Sequence, residues 1–260
     1  MPHSKAVIVL VTGAWHPSSA YKSLISDLVK AGYPVLVTSL PSLEPKDPSV
    51  CDCRSDASSV RQQFLPAIEE EGKDVILLCH SYGGIPGGGA AHGLSKSART
   101  QQGKKGGVVG LIFISAFVVP EGITLVNYLG GKHPPYLLGN EPSEGLSEVG
   151  TAKETLFGDV SPPYDREIEK SLLPHAMLAF ESPAPPAAWA QPEYSGKIAF
   201  LRCTQDAALP TFLQDLFVDK SGVKWIVKDI EASHSPFASK PGEVVQAVEE
   251  FAQAFESETA

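Results

Sequence analysis

The sequence predicts an α/β fold, a doubly wound and mostly parallel sheet. Three observations carry this expectation. Short runs rich in Val, Ile, Leu and Phe alternate with helix-periodic stretches along the 260 residues. Those runs lack polar alternation, as strands covered on both faces do. A serine follows one of them directly, among very small residues, in VILLCHSYGGIPGGG from Val75 to Gly89.

Taken in order, the first strand is expected at 6–11. The N-terminus, MPHSKAVIVLVTG, has one early Lys and a short apolar run, as a secretion leader has. The run ends in Thr12-Gly13 without a small-residue cleavage pattern, so it reads as a buried strand. A helix at 20–31 and a strand at 35–38 follow. Next come a helix at 56–71, the strand 75–79 and a helix at 82–97. The polar, basic stretch 96–107 (KSARTQQGKKGG) reads as a solvated surface loop. The fourth strand is expected at 109–115. From 120 to 192 no sheet strand is evident. That Pro- and Gly-rich stretch has helical character near 147–156 and 165–180, and a long insertion of this kind suits a lid over a site. Strands at 198–203 and 224–229 and a helix at 211–220 complete the sheet region. The last helix, 241–255, opens on Pro241 at a permitted first-turn position. Its Val244, Val245, Val248, Phe251, Ala252 and Phe255 share one face. The expected division is a core of 1–119 and 193–260 with a helical cap at 120–192.

Composition narrows the function. A net charge of −9 argues against nucleic acid or an anionic membrane as the main partner. No stretch is apolar for long enough to span a bilayer. The expectation is a soluble cytoplasmic protein whose partner is a small-molecule substrate, with a homodimer left open. The four cysteines, Cys51, Cys53, Cys79 and Cys203, match no zinc spacing and read as reduced, buried thiols. No cofactor or metal motif is present, and none is expected.

The serine is the sharpest signal. A nucleophile at a strand-to-helix corner needs small neighbours, because bulky side chains there collide with adjacent elements; the pattern is G-x-S-x-G. Here it reads Cys79-His80-Ser81-Tyr82-Gly83, with Cys in place of the first Gly. A plain structural turn is the competing reading, but the strand before and helix after favour a nucleophile. The later Gly87-Gly88-Gly89 reads as close helix packing, since no phosphate-loop pattern surrounds it.

A serine hydroxyl needs a base, and the base needs a carboxylate to orient it. In this chain order the acid precedes the histidine. Asp206 follows the strand 198–203, and His234 follows the strand 224–229, both where open α/β sheets place their sites. Glu121 is an alternative acid; Asp229 and Glu231 are rivals too near His234 in sequence. The other histidines, His3, His16, His80, His92, His133 and His175, read as packing or surface groups, with His175 a candidate to line a lid. The oxyanion donors expected are the backbone N–H groups of Ala14 and Tyr82. Trp15, Tyr128, Tyr136, Phe157, Met177, Phe180 and Trp189 are candidates to line an apolar substrate pocket, with ordinary packing as the competing reading.

Together these pieces resemble the α/β-hydrolase superfamily, most closely its cofactor-free esterase and hydroxynitrile-lyase-like branch of small fungal and bacterial members. The matching stretches are VLVTGAWHPSSAY, DVILLCHSYGG, CTQDAALP and ASHSPFASKP, with DASSVRQQF before the serine corner and LIFISAFVVPEG after it. The resemblance covers nearly all of the chain outside 120–192. It implies an α/β-hydrolase fold, a Ser81–Asp206–His234 triad and a helical cap. Thr12 departs from the His that many relatives carry before the loop Gly. Plant hydroxynitrile lyases of this branch have Lys after the catalytic His and Thr in the oxyanion loop; here those places hold Ser235 and Gly13, which argues against cyanohydrin cleavage. Same-fold dehalogenases and epoxide hydrolases use Asp as nucleophile, and Ser81 stands against both. The expected activity is hydrolysis of an ester, thioester or lactone of an apolar or polyketide-like metabolite. Acyl transfer, cyclisation or carbon–carbon chemistry with His234 as base is the alternative, and a non-catalytic receptor is a third reading.

Overall fold

Apolar, β-branched runs build the centre of the molecule, and a computed structural model describes them within residues 5–257. The first half of the chain supplies β1 (Val7–Val11), α1 (Lys22–Lys30), β2 (Val35–Val37), α2 (Cys53–Glu69), β3 (Asp74–His80), α3 (Gly84–Ala91), α4 (Lys96–Gln101) and β4 (Gly107–Ile114). Helix α2 starts three residues before the expected 56, because the Asp52 side chain caps it by accepting from Ser55 N at 2.7 Å. The helix expected through 97 stops at Ala91, and Gly93 then takes a φ of +72°. The basic stretch after it is not a loop throughout. Ser95 caps α4, and Arg99 is buried, its guanidinium forking onto both carboxylate oxygens of Glu69 at 2.7 and 3.1 Å.

The chain between β4 and the next sheet strand differs from the helical cap expected there. It contains α5 (Leu125–Tyr128), β5 (Leu137–Gly139), β6 (Leu146–Val149), α6 (Ala152–Leu156), α7 (Tyr164–Ser171), β7 (His175–Ala176) and α8 (Leu178–Glu181). The three strands pair antiparallel in the order β5-β6-β7. Strands of two to four residues show no periodicity, and Pro174 divides the helix expected over 165–180. The segment is tied to the core by backbone bonds from Ala176 N to Ser42 O, Glu44 N to Pro174 O and Leu173 N to Trp15 O.

The chain then returns through β8 (Ile198–Cys203), α9 (Thr211–Lys220), β9 (Ile226–Ile230), α10 (Pro236–Ser239) and α11 (Pro241–Ser257). The main sheet runs β2-β1-β3-β4-β8-β9, and every pair is parallel. Its inner strands are covered on both faces, and two apolar clusters fill the two sides. From β1 the chain winds one way to β2 and the other way to β3. The C-terminal ends of β1 and β3 therefore flank a switch point, where such sheets open a crevice. Among the described residues no helix is long and apolar enough to cross a membrane.

Candidate active site

Ser81 sits at that crevice, immediately after β3, with a φ of +52°. This left-handed conformation costs an L-residue about 1–2 kcal/mol and projects the hydroxyl out of the corner. The small residues around it have a steric cause. A Cβ on Gly83 would lie 2.6 Å from the carbonyl oxygens of both Val11 and Thr12. A Cβ on Gly84 would overlap the Phe117 carbonyl, and one on Gly87 would overlap the Cys79 sulfur. The Gly87–Gly89 run is thus close packing, and it makes room for the Cys that replaces the first Gly. All four cysteines are free and buried.

The ends of β8 and β9 bring two distant residues to Ser81. His234 Nε2 lies 2.8 Å from Ser81 Oγ, and His234 Nδ1 lies 2.7 Å from Asp206 Oδ2. A carboxylate accepts only, so Nδ1 carries the proton and Nε2 is free to accept from the serine hydroxyl. Asp206 Oδ1 accepts from Ala208 N and Leu209 N, each at 2.8 Å. Ser81, Asp206 and His234 are all at least 94% buried, being 6%, 6% and 2% exposed. The rival acids lie elsewhere. Glu121 is exposed, Asp229 is held by Arg202, and Glu231 accepts from Gln205.

Ala14 and Tyr82 line a narrow cavity of about 20 Å³ beside Ser81 and His234, room for about one water. Ala14 N finds no hydrogen-bond acceptor among the described residues. Tyr82 N lies in the first turn after β3, where helical donors are unpaired. Trp15, Tyr136 and Phe180 also line the cavity. Trp15 donates from Nε1 to the Ser147 carbonyl, and Tyr136 donates to Ala208 O, so both brace the β4–β8 segment against the core.

Four expected pocket residues do not reach this cavity. Tyr128 stacks on Phe217 with ring centroids 5.3 Å apart. Phe157 is buried against the His16 ring, Met177 packs against Gly139, and Trp189 packs beside Trp225 and Gly88. Their places on the wall are taken by Phe117, Leu125, Val126, Leu129, His133 and Leu137.

A second buried polar group stands behind Tyr82. The Tyr82 hydroxyl donates to Asp56 Oδ2 at 2.6 Å, and Asp56 also accepts from Ser42 N and Ser42 Oγ. His175 Nε2 reaches Ser42 Oγ at 2.9 Å, which links the β4–β8 segment to this carboxylate. Burial pushes the Asp56 carboxyl up, while its bonds from Ser42 and Tyr82 oppose the shift. Nothing in the sequence pointed to this network; Asp56 marked only the start of an expected helix, and its burial on α2 is a finding of the structure.

Comparisons agree with the fold. The chain is 27% identical over 246 residues to the alpha/beta hydrolase nvfD of Aspergillus novofumigatus, covering 94% of this chain and 95% of the relative. It is 26% identical over 255 residues to the probable hydrolase R7 of a Phoma species, covering 96% and 99%. Among solved structures, a pyrethroid hydrolase from Sphingobium faniae superimposes with a TM-score of 0.72 at 21% identity, covering 96% of this chain and 98% of that one. Polyneuridine aldehyde esterase gives 0.71 at 23%, covering 95% and 99%. The alpha/beta hydrolase family model matches residues 8–247. By that match, this chain belongs to the alpha/beta hydrolase family.

Proposed function

We propose that the protein is a serine hydrolase of a carboxylic ester, thioester or lactone of a neutral, apolar small molecule. One observation carries the reading: His234 spans Ser81 and Asp206 with hydrogen bonds of 2.8 and 2.7 Å. His234 takes the Ser81 proton at Nε2 as Oγ bonds to the substrate carbonyl carbon. The oxyanion is held by the Ala14 and Tyr82 N–H groups, each such donor being worth about 3 kcal/mol in the transition state. The bond to the alcohol or thiol then breaks, and His234 returns the proton to it. Water attacks the acyl-serine, giving its proton to His234, and the carboxylic acid leaves as Ser81 is reprotonated. Esterase and hydrolase names among the relatives support this class. The apolar wall supports a substrate without charge near its acyl group. The cavity as it stands is about one water in size, so binding of an acyl group requires its walls to give.

The test is labelling with a fluorophosphonate, with the adduct located by peptide mass. A stoichiometric adduct on Ser81, lost in Ser81→Ala and in His234→Ala, is expected, followed by turnover in an ester, thioester and lactone panel. Folded protein that takes no adduct overturns the reading. Conversion that needs His234 but not Ser81 would instead assign base chemistry without acylation.

A further inference from the structure

Two buried residues outside the proposed triad connect its two halves. Tyr21 and His80 are both fully buried. Gly13 N donates to the Tyr21 hydroxyl oxygen at 2.9 Å, and that hydroxyl lies 2.8 Å from His80 Nδ1. His80 Nε2 lies 2.9 Å from the His234 carbonyl oxygen. A carbonyl accepts only, so His80 carries its proton at Nε2. Nδ1 is then the acceptor, and the Tyr21 O–H must donate to it. This one assignment satisfies the Tyr21 hydroxyl and both His80 ring nitrogens.

Packing holds both rings in place. Tyr21 lies on Phe237 with centroids 4.1 Å apart, and His80 meets the Phe237 and His234 rings at 4.9 Å. A Cβ on Gly13 would fall 2.8 Å from His80 Nδ1, so the loop after β1 rests directly on this imidazole. Burial keeps His80 neutral, holding its pKa well below the ordinary histidine value, and positive charge on His234 or His16 would lower it further.

We infer that Tyr21 and His80 form a positioning relay for hydrolysis at Ser81, tying the loop that bears the Ala14 N–H to the backbone of His234. The inference rests on the hydrolase reading. Donor and base must keep their spacing while charge moves between them, and a rigid link sets that spacing without touching the substrate. His80 can serve only as the Nε2–H tautomer, because a proton on Nδ1 would remove the acceptor that Tyr21 needs.

Tyr21→Phe tests the relay, since it keeps the ring on Phe237 and removes both hydroxyl bonds. With p-nitrophenyl butyrate, kcat is expected to fall on the order of tenfold or more while KM changes by less than about threefold. A trifluoromethyl ketone, which forms a tetrahedral oxyanion on serine, should lose affinity by a similar factor. His80→Gln retains a donor for the His234 carbonyl and should keep more kcat than His80→Leu, a comparison that serves even if Tyr21→Phe does not fold. Independently of turnover, ¹⁵N NMR of histidine-labelled protein should show His80 protonated at Nε2 and not titrating between pH 8 and 5. Unchanged kcat in folded Tyr21→Phe, a loss confined to KM, or His80 protonated at Nδ1 overturns the relay. Absence of any ester turnover and of any Ser81 adduct overturns the hydrolase reading instead, and the NMR assignment still decides the hydrogen-bond chain.

Discussion

The Ser115 hydroxyl is hydrogen-bonded to Asp206, on the same Oδ2 that accepts from His234. Ser115 directly follows β4 with a φ of +39°, fully buried, and its Oγ is 3.4 Å from His234 Nδ1. The Asp206 carboxylate is therefore held by Ser115, His234 and two backbone N–H groups. Ser115→Ala removes one donor to a buried charge and keeps the left-handed backbone, so it should cost about 1.5–3 kcal/mol of stability. Ser115→Gly loses the same bond but relaxes the backbone, and should be the more stable of the two. Urea unfolding at neutral pH ranks them; Ser115→Ala equal to wild type would remove this bond from the account.

Asp206→Asn separates orientation from mere packing. The amide oxygen can still accept from Ala208 N and Leu209 N, so the loop should hold. The amide nitrogen then faces His234 Nδ1 and can only donate to it. His234 must move its proton to Nε2, where it can no longer accept from Ser81. A fall in kcat of about 10⁴ is expected, with cooperative unfolding retained. A fall below tenfold would mean that another group orients His234. Glu121 is exposed on the surface and could reach His234 only by moving, so the expected loss is large.

The sheet strands were legible because the inner four, β1, β3, β4 and β8, are almost wholly apolar, as burial on both faces requires; the edge strands β2 and β9 are only half-buried, and β9 carries Lys228 and Asp229. The residues at their C-terminal ends were legible for a related reason. Ser81, Asp206 and His234 each stand just past such a run, and parallel strands bring those ends together. The wall of the cavity was not legible. Tyr128, Phe157, Met177 and Trp189 supply apolar area, but nothing in their spacing says which way they face, and four- or five-residue helices fix no face in advance. The same holds for Asp56, Ser42 and His175. Their network joins residues up to 133 positions apart, across a segment whose strands are too short to show a period.

Gly83→Ala should be severe although its backbone is ordinary helix. The added Cβ would lie 2.6 Å from two carbonyl oxygens, Val11 O at the end of the central strand β1 and Thr12 O just after it, and backbone there has little room to swing aside. Relief requires β1 and the serine corner to separate. A destabilisation of at least about 3 kcal/mol is expected, the upper end of ordinary overpacking. Thermal or urea unfolding of Gly83→Ala checks this, with Gly242→Ala as the control, since a Cβ there meets nothing within 4 Å. Equal losses in the two variants would show that the corner is less tightly packed than the distances require.

Acid should destabilise the protein through its buried histidines. Burial pushes His16 and His175 down to about 3, and His80 also lies well below its ordinary value. A histidine in the unfolded chain titrates near 6.5, so between that pH and the folded value the unfolded state binds more protons. Stability is then complete above pH 6.5 and is lost as pH falls through the window below it. Each such histidine contributes a loss of about 2 kcal/mol between pH 7.5 and pH 5. Asp56 acts in the opposite sense, because its raised carboxyl binds a proton in the folded state first, but it is one group against three. Urea midpoints at pH 7.5 and 5.0 should therefore differ by an amount large beside the stability of an ordinary domain. His16 shows how the loss can be assigned. Its Nδ1 donates to Ala14 O at 2.7 Å and its ring packs on Phe157 and Phe237. His16→Gln can keep that donor while removing the titration, so it should shrink the pH-dependent difference by one histidine's share. A difference that stays the same in His16→Gln, or no difference in wild type, would mean that these histidines take up protons in the folded state.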